Sequence, residues 1–439
     1  RRFLEENAFA CATTDDLWKA LGQGTGIDVS AMMNGWTRRT GLPVVLARRE
    51  KGRLKVRQER FLLDRDPENP AEDPTLWEIP LPTVDARGHS ASHRLSSREA
   101  VIDAPASDWI KVNAGQSGFY LAQYDEEGWR SLAKAVEVLA LPTMDRYGLQ
   151  EDAYSLMRAG YLSVPGYLRF VGSFSKETNH YAWGGVLDGI AALADIFLGD
   201  PLVPKLEAWA RALLKETAHA VGWDEATKEA SERTLLRMTI LGSAVRFGDP
   251  EAVEQVRRRF EAVRKDLNAV APNLRSTIFY GIARHGDLAA FDALAELHEK
   301  ADLPEVKVQL LRSLGAFRKE ELTRRAVEYA LSDKVRRQDA VAAFGSIPVE
   351  MKPTAWRLMK ENWAVLDERY GKSGLIGHFV SAAASGIPTE EHALDVERFF
   401  REHPAPYASE KIKQTLEGIR ARAKFRTRNK AGLAQFFTT

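Results

Sequence analysis

The sequence predicts a mainly α, multidomain protein, a small β-sandwich followed by a large superhelical array of helices. Two patterns carry that prediction. Between about residues 40 and 123, short apolar segments alternate with period two and are separated by Pro, Gly, Asn and Asp. From about residue 125 onward, apolar residues recur at spacings of three and four, and the segments are joined by short turns such as Gly248-Asp249-Pro250, Gly286-Asp287 and Asp302-Leu303-Pro304. Helices so joined pack as antiparallel pairs. From about residue 250 the pairs recur roughly every 30–45 residues, which predicts an irregular HEAT- or armadillo-like domain.

Residues 1–38 read as helices. Thr13-Thr14-Asp15-Asp16 is a capping stretch in which Thr14 or Asp15 would accept from the next turn, followed by the apolar stripe Leu17, Trp18 and Leu21. Val29, Met32, Met33 and Trp36 mark a second short amphipathic helix. Residues 39–124 form the sandwich, with strands at Leu54–Gln58 and Trp77–Leu81 and an exposed Ser/His/Arg-rich loop over 82–97. Residues 125–439 form the helical domain, with helices expected at 126–140, 145–160, 180–197, 203–221, 228–246, 250–265, 274–285, 288–300, 304–316, 321–332, 353–367 and 389–402. The basic run Arg420–Arg428 reads as the solvated last turns of a helix.

Composition bounds the function. The 62 basic and 61 acidic residues nearly cancel, so no basic excess points to nucleic acid, and aromatic residues are not interleaved with basic ones on one face as a base-stacking surface needs. No apolar run is long enough to span a membrane. Cys11 is the only cysteine and has no His partner; it reads as a buried structural thiol on an apolar helix face, and a reducing, cytoplasmic setting is expected. The chain opens on Arg1 and the apolar Phe3-Leu4 and Ala8-Phe9-Ala10, which reads as part of a longer polypeptide.

Catalytic motifs are absent. His298-Glu299 lacks a second His three residues on, and His89 and His93, though four apart, sit among Gly and Ser that favour a loop. Gly115-Gln116-Ser117-Gly118 does not fit a nucleophile elbow, and Gly22-Gln23-Gly24-Thr25-Gly26 lacks the Lys of a phosphate loop and reads as a helix stop. Asp145, Arg146 and Asp152 read as structural, with Asp145 as a helix N-cap and Arg146 linking repeats. Trp129, Trp223, Trp356 and Trp363 read as core.

The run Trp109-Ile110-Lys111-Val112-Asn113-Ala114-Gly115-Gln116-Ser117-Gly118-Phe119-Tyr120, read with Asp145-Arg146-Tyr147-Gly148-Leu149-Gln150-Glu151-Asp152, resembles the C-terminal half of the zinc aminopeptidases of the aminopeptidase N and puromycin-sensitive aminopeptidase family. Thr14-Asp15-Asp16-Leu17-Trp18, Trp36-Thr37, Gly41-Leu42-Pro43-Val44, Asn273-Leu274-Arg275, Gln338-Asp339, Asn362-Trp363, Arg369-Tyr370-Gly371 and Gln414-Thr415-Leu416-Glu417 follow in family order. Leu121 stands where the family usually has Arg, and Phe425 where it tends to have Trp.

The resemblance implies the last helices of a catalytic domain, a β-sandwich and a helical bowl over a substrate chamber. It implies zinc in the parent enzyme, none bound by this portion, with the missing N-terminal and catalytic domains and peptide substrates as partners. It also implies cations meeting the peptide's C-terminal carboxylate, with Lys360, Arg275, Arg337 and Arg369 the candidates. A further basic site of some relatives would fall near Ala194-Asp195, where this sequence has no cation. The competing reading is an autonomous helical-repeat scaffold that binds peptides or proteins.

Overall fold

In the computed structural model the chain is described throughout except at residues 51, 64, 66–72, 105 and 439. It divides into two compact units, Arg1–Ser173 and Phe174–Thr439.

The first unit opens with α1 (Arg2–Glu6), α2 (Thr14–Thr25) and α3 (Val29–Thr37). Thr13, not Thr14 or Asp15, caps α2, in a reciprocal box with Asp16, because it alone lies one residue outside the helix with an extended backbone. Cys11 lies exposed in the coil between α1 and α2, so it is not the buried helical thiol expected from its apolar neighbours.

Two sheets follow. β1 (Pro43–Glu50), β2 (Arg53–Arg60), β5 (Glu99–Asp103) and β7 (Leu121–Tyr124) form one, in the order β5-β2-β1-β7 with β1 and β7 parallel. β3 (Ile79–Asp85), β4 (Ser90–Leu95) and β6 (Ile110–Val112) form the other, in the antiparallel order β4-β3-β6. The polar 82–97 segment is thus a hairpin arm and not an exposed loop. β4 is an edge strand, which tolerates polar residues because most of its side chains face solvent. The buried Tyr124 hydroxyl ties the two sheets, accepting from the Val112 amide at 3.0 Å. Gln58 is fully buried and spends its side chain on the Trp77 amide and on the Trp77 and Ser97 carbonyls. The unit ends with α4 (Glu126–Glu137), α5 (Thr143–Ala159) and α6 (Val164–Val171), which pack with the sheets.

The second unit is helical. Its elements are α7 (His180–Ile196), α8 (Val203–Val221), α9 (Ser231–Arg246), α10 (Pro250–Val263), α11 (Pro272–His285), α12 (Leu288–Lys300) and α13 (Pro304–Gly315). They continue with α14 (Glu320–Ala330), α15 (Ala340–Ser346), α16 (Lys352–Glu361), α17 (Trp363–Tyr370), α18 (Leu375–Ala384), α19 (Glu390–Glu402) and α20 (Ser409–Thr438). The expected 353–367 helix is two helices, broken at Asn362, whose side-chain amide bonds back to the Leu358 carbonyl.

The helices form two rows. In one, α7, α9, α11, α13, α15, α18 and α20 touch in succession; in the other, α8, α10, α12, α14, α16 and α19 back onto them. Glycine permits the close approach. A Cβ at Gly315 would sit 2.1 Å from the Ala343 carbonyl oxygen, and one at Gly281 would meet Val245 at 2.8 Å.

α20 joins the last helices of this unit to its first. It packs on α18 and α19, and it also sets Phe425 against Phe197 at 6.3 Å and Phe436 against Trp209 at 5.3 Å, beside α7 and on α8. Its 30 residues span about 45 Å, long enough to reach from the last hairpin to the first. Arg420–Arg428 therefore lies mid-helix and is not a fraying end. Arg420 pairs with Glu390 and Glu397, and Arg426 donates to the Leu198 carbonyl at 3.1 Å.

Candidate functional site

The two sequence motifs of the first unit meet in its interior. Lys111 on β6 is 1% exposed, and its ammonium group lies 3.0 Å from Asp145 Oδ1 on α5 and 2.7 Å from the Asn113 carbonyl. Asp145 also accepts from the Gly115 amide at 2.7 Å. It is inside α5, whose N-cap is Pro142, so it bonds across to the Ala114–Gln116 turn and does not cap its own helix. Asp152, two turns on, accepts from the Ala122 amide of β7 at 3.1 Å. Burial pushes Asp152 up to about 7, against the lowering effect of that amide and of Lys111. Gly148 leaves room for Gln116, whose Nε2 would lie 1.4 Å from any Cβ there. The cluster staples the β6–β7 loop to α5. Its members are bonded to one another or to the backbone of that loop and of β7. Leu121, where the resemblance would place Arg, is a β7 residue opposite Val44.

In the second unit polar residues gather at the C-terminal ends of α7, α9 and α11. Arg246, ending α9, holds Asp195 of α7 with contacts of 2.9 and 2.8 Å and is bonded by Tyr280. Burial alone would lower the Arg246 pKa; Asp195 and Tyr280 outweigh it and raise it. Arg284, ending α11, donates to the Arg246 carbonyl at 3.1 Å and lies 3.8 Å from Glu350, which also pairs with Arg318. Lys352 donates to the Ala382 carbonyl at 2.7 Å. Burial, with help from Arg422 and opposed by Asp195, pushes the Lys352 amine down to about 8. At the Ala194-Asp195 position, which lacks a cation in sequence, Asp195 is thus paired with Arg246 of α9.

A shared device explains this concentration of base. Helix ends leave carbonyls without partners, and cations suit the negative end of the dipole. Arg211 bonds the Phe247 carbonyl, Arg237 those of Val221 and Gly222, His285 that of Val245, His392 that of Ala384 and Arg426 that of Leu198. Residues of one helix thereby cap the end of another. The sequence signal was available, because α9 and α11 end in Arg or His, but the acceptors lie in other hairpins and carry no motif.

The four sequence candidates are not brought together. Lys360, on α16, is paired with Asp395 at 2.9 Å and stands 5.3 Å over the Trp356 ring. Trp356 donates to the same Asp395 at 2.6 Å, within an aromatic cluster with Trp363, Phe399 and Phe400. Arg369 donates to the Leu331 carbonyl at the end of α14. Arg275 is buried and bonds Asn268. Arg337 is exposed and, among the described residues, its side chain makes no ion pair. Trp129, Trp356 and Trp363 are buried, whereas Trp223 is half-exposed beneath Arg259, 5.6 Å away.

Among the described residues, no group of three or more His, Cys, Asp or Glu side chains is placed to hold a metal ion. His93 lies on β4 opposite Leu81, and His89 turns to Asp85 at 3.3 Å. Among the described residues there is therefore no ligand set that fits a zinc ion. No described helix is long and apolar enough to cross a membrane.

Residues 109–421 match the model of the ERAP1-like C-terminal domain family. The chain is 32% identical to aminopeptidase 2 of Candida albicans, in an alignment covering 97% of this chain and 47% of that protein. It is 28% identical to aminopeptidase M1 of Arabidopsis thaliana (96% and 50%) and 27% identical to aminopeptidase M1-A of Oryza sativa subsp. japonica (96% and 49%). The chain spans about half the length of the curated relatives it matches.

Proposed function

We propose, from the premise that this chain belongs to the ERAP1-like C-terminal domain family, that it is the non-catalytic portion of a zinc-dependent aminopeptidase. The observation that carries the reading is the match of residues 109–421, which runs from β6 of the first unit through the helices of the second and into α20, the helix that joins the last helices of that unit to its first. A closed, HEAT-like wall suits a chamber that admits peptides and excludes bulk water. On this reading residues 1–38 end the catalytic domain, 39–124 form the sandwich and 125–439 the bowl. Zinc and its ligands belong to the absent domains, and this portion supplies none of the reacting groups. The single cysteine favours a cytoplasmic setting.

The proposed peptide contacts are Lys360, Arg275, Arg337 and Arg369. Arg337 is the readiest because its guanidinium is exposed. Lys360 must first leave Asp395, and Arg369 the Leu331 carbonyl. The surface of α1–α3 is the proposed seam to the absent domain. α2 and α3 bury no residue fully, and Leu4, Phe9, Leu21 and Ile27 face solvent. Trp36 is anchored there against Trp77 at 6.2 Å and Phe119 at 6.4 Å. The test is turnover of an aminoacyl chromogenic substrate by this chain with added zinc. The reading expects none, and robust turnover would overturn it.

A further inference from the structure

We propose that Lys352 is a nucleophilic lysine and a site of reversible carbamate formation with carbon dioxide. Lys352 opens α16, whose N-cap Met351 supplies no side-chain acceptor, so its ammonium group stands at the positive end of that helix. Its Nζ donates to the Ala382 carbonyl of α18 at 2.7 Å, and among the described residues it makes no ion pair. Two charged groups act on it from other elements: Asp195 of α7 favours the ammonium and Arg422 of α20 opposes it. Asp195 is already held through both oxygens by Arg246 of α9. Glu350, two residues before Lys352, lies against Arg284 of α11 and Arg318. Other cations set into this unit are matched directly, Arg237 by Glu229 and Arg246 by Asp195.

A cation so placed is costly, and a lysine, unlike an arginine, escapes the cost by giving up its proton. The amine is lowered to about 8, chiefly by burial. At pH 7.5 about a quarter of Lys352 amines then carry a free electron pair, against about one in a thousand of ordinary lysines. A desolvated amine beside another cation is a recurrent form of nucleophilic lysine. The side chain is half-buried, so solvent reaches it, yet its surroundings are close: a Cβ at Gly386 would lie 3.2 Å from Lys352 Cγ and 3.5 Å from Val349. A small electrophile suits such a place. The Nζ electron pair bonds to the carbon of carbon dioxide, one C–O π pair moves onto oxygen, and a nitrogen proton leaves to water, giving –NH–COO⁻. The remaining N–H keeps the bond to the Ala382 carbonyl. The new carboxylate is the negative group that a helix N-terminus and Arg422 favour. Carbamate formation thus turns repulsion of Lys352 by Arg422 into attraction. This inference does not depend on the peptidase reading.

The test is incubation of the 439-residue chain with isotopically labelled bicarbonate at pH 8, with carbamates trapped by alkylation and located by peptide mass spectrometry. Lys352 should be modified about tenfold or more above the median lysine, in keeping with its larger share of free amine. In urea that preference should vanish. Carbamate on the α-amino terminus maps to a different peptide. At constant ionic strength, bicarbonate should raise the Tm of the wild type but not of Lys352→Arg. Absence of carbamate on Lys352 in the folded chain overturns the proposal. So does an adduct no more abundant there than on exposed lysines, a preference that persists in urea, or an equal rise in Tm in the variant. If Lys352→Arg does not fold, the mapping on the wild-type chain decides.

Discussion

Replacing Asp152 by Asn should remove a pH dependence from the stability of the first unit. The Asp152 carboxyl is pushed from the ordinary 3.8 to about 7, chiefly by burial. Around it stand Lys111 on β6, Glu151 on its own helix and Tyr120 and Tyr124 flanking Ala122. A carboxyl whose pKa is raised on folding holds its proton more tightly in the folded state. Its contribution is therefore fully present below pH 4 and is lost as pH rises toward 7. Between pH 5 and pH 8.5 the loss is about 3 kcal/mol, at 1.36 kcal/mol per tenfold change. Asn cannot ionise, yet it can still accept from the Ala122 amide. The assay is urea unfolding of both proteins at the two pH values, read by hydrogen exchange in peptides covering 110–124 and 143–159. Relative to wild type, Asp152→Asn should gain about 3 kcal/mol on going from pH 5 to pH 8.5. A difference that stays constant with pH would refute the reasoning.

Other perturbations follow from the same contacts. Gly148→Ala should destabilise the first unit by about 1–3 kcal/mol despite the better helix propensity of Ala, and adding Gln116→Ala should restore most of the loss in denaturant melts. Glu229→Gln should lower the Tm of the second unit, because Arg237 loses its carboxylate. The Glu229 pKa is held down at about 2, chiefly by hydrogen bonding to Arg237, so this stabilisation is present above pH 4.5 and lost on acidification toward pH 2; acid titration of wild type and variant should converge there. Arg426→Ala should speed hydrogen exchange in the C-terminal half of α20 while leaving α11 and α13 unchanged, since it frees the Leu198 carbonyl.

The helices with strong period and clear stops were legible in sequence. Val203–Val221 and Leu288–Lys300 fall where apolar spacing and the Asp-Pro and Gly-Asp punctuation put them. The buried α6, α15 and α18 were missed. Residues such as Leu375-Ile376-Gly377-His378-Phe379-Val380 are apolar on nearly every side, so no stripe marks a helix. β4 was missed for the opposite reason: an edge strand with solvent on one face needs little apolar alternation. At the site, single cations could be named but not their uses. Lys360 faces a carboxylate 35 positions later, and Arg246 one 51 positions earlier, distances that no local pattern encodes.

The central claim, that this chain is the closing portion of a zinc aminopeptidase, is tested most directly by the intact mass and metal content of the polypeptide purified from its own cells. The account predicts a species about twice the length of these 439 residues carrying one zinc ion, in line with relatives of which this chain covers about half. A metal-free species of 439 residues would contradict it and leave the helical-repeat scaffold as the reading.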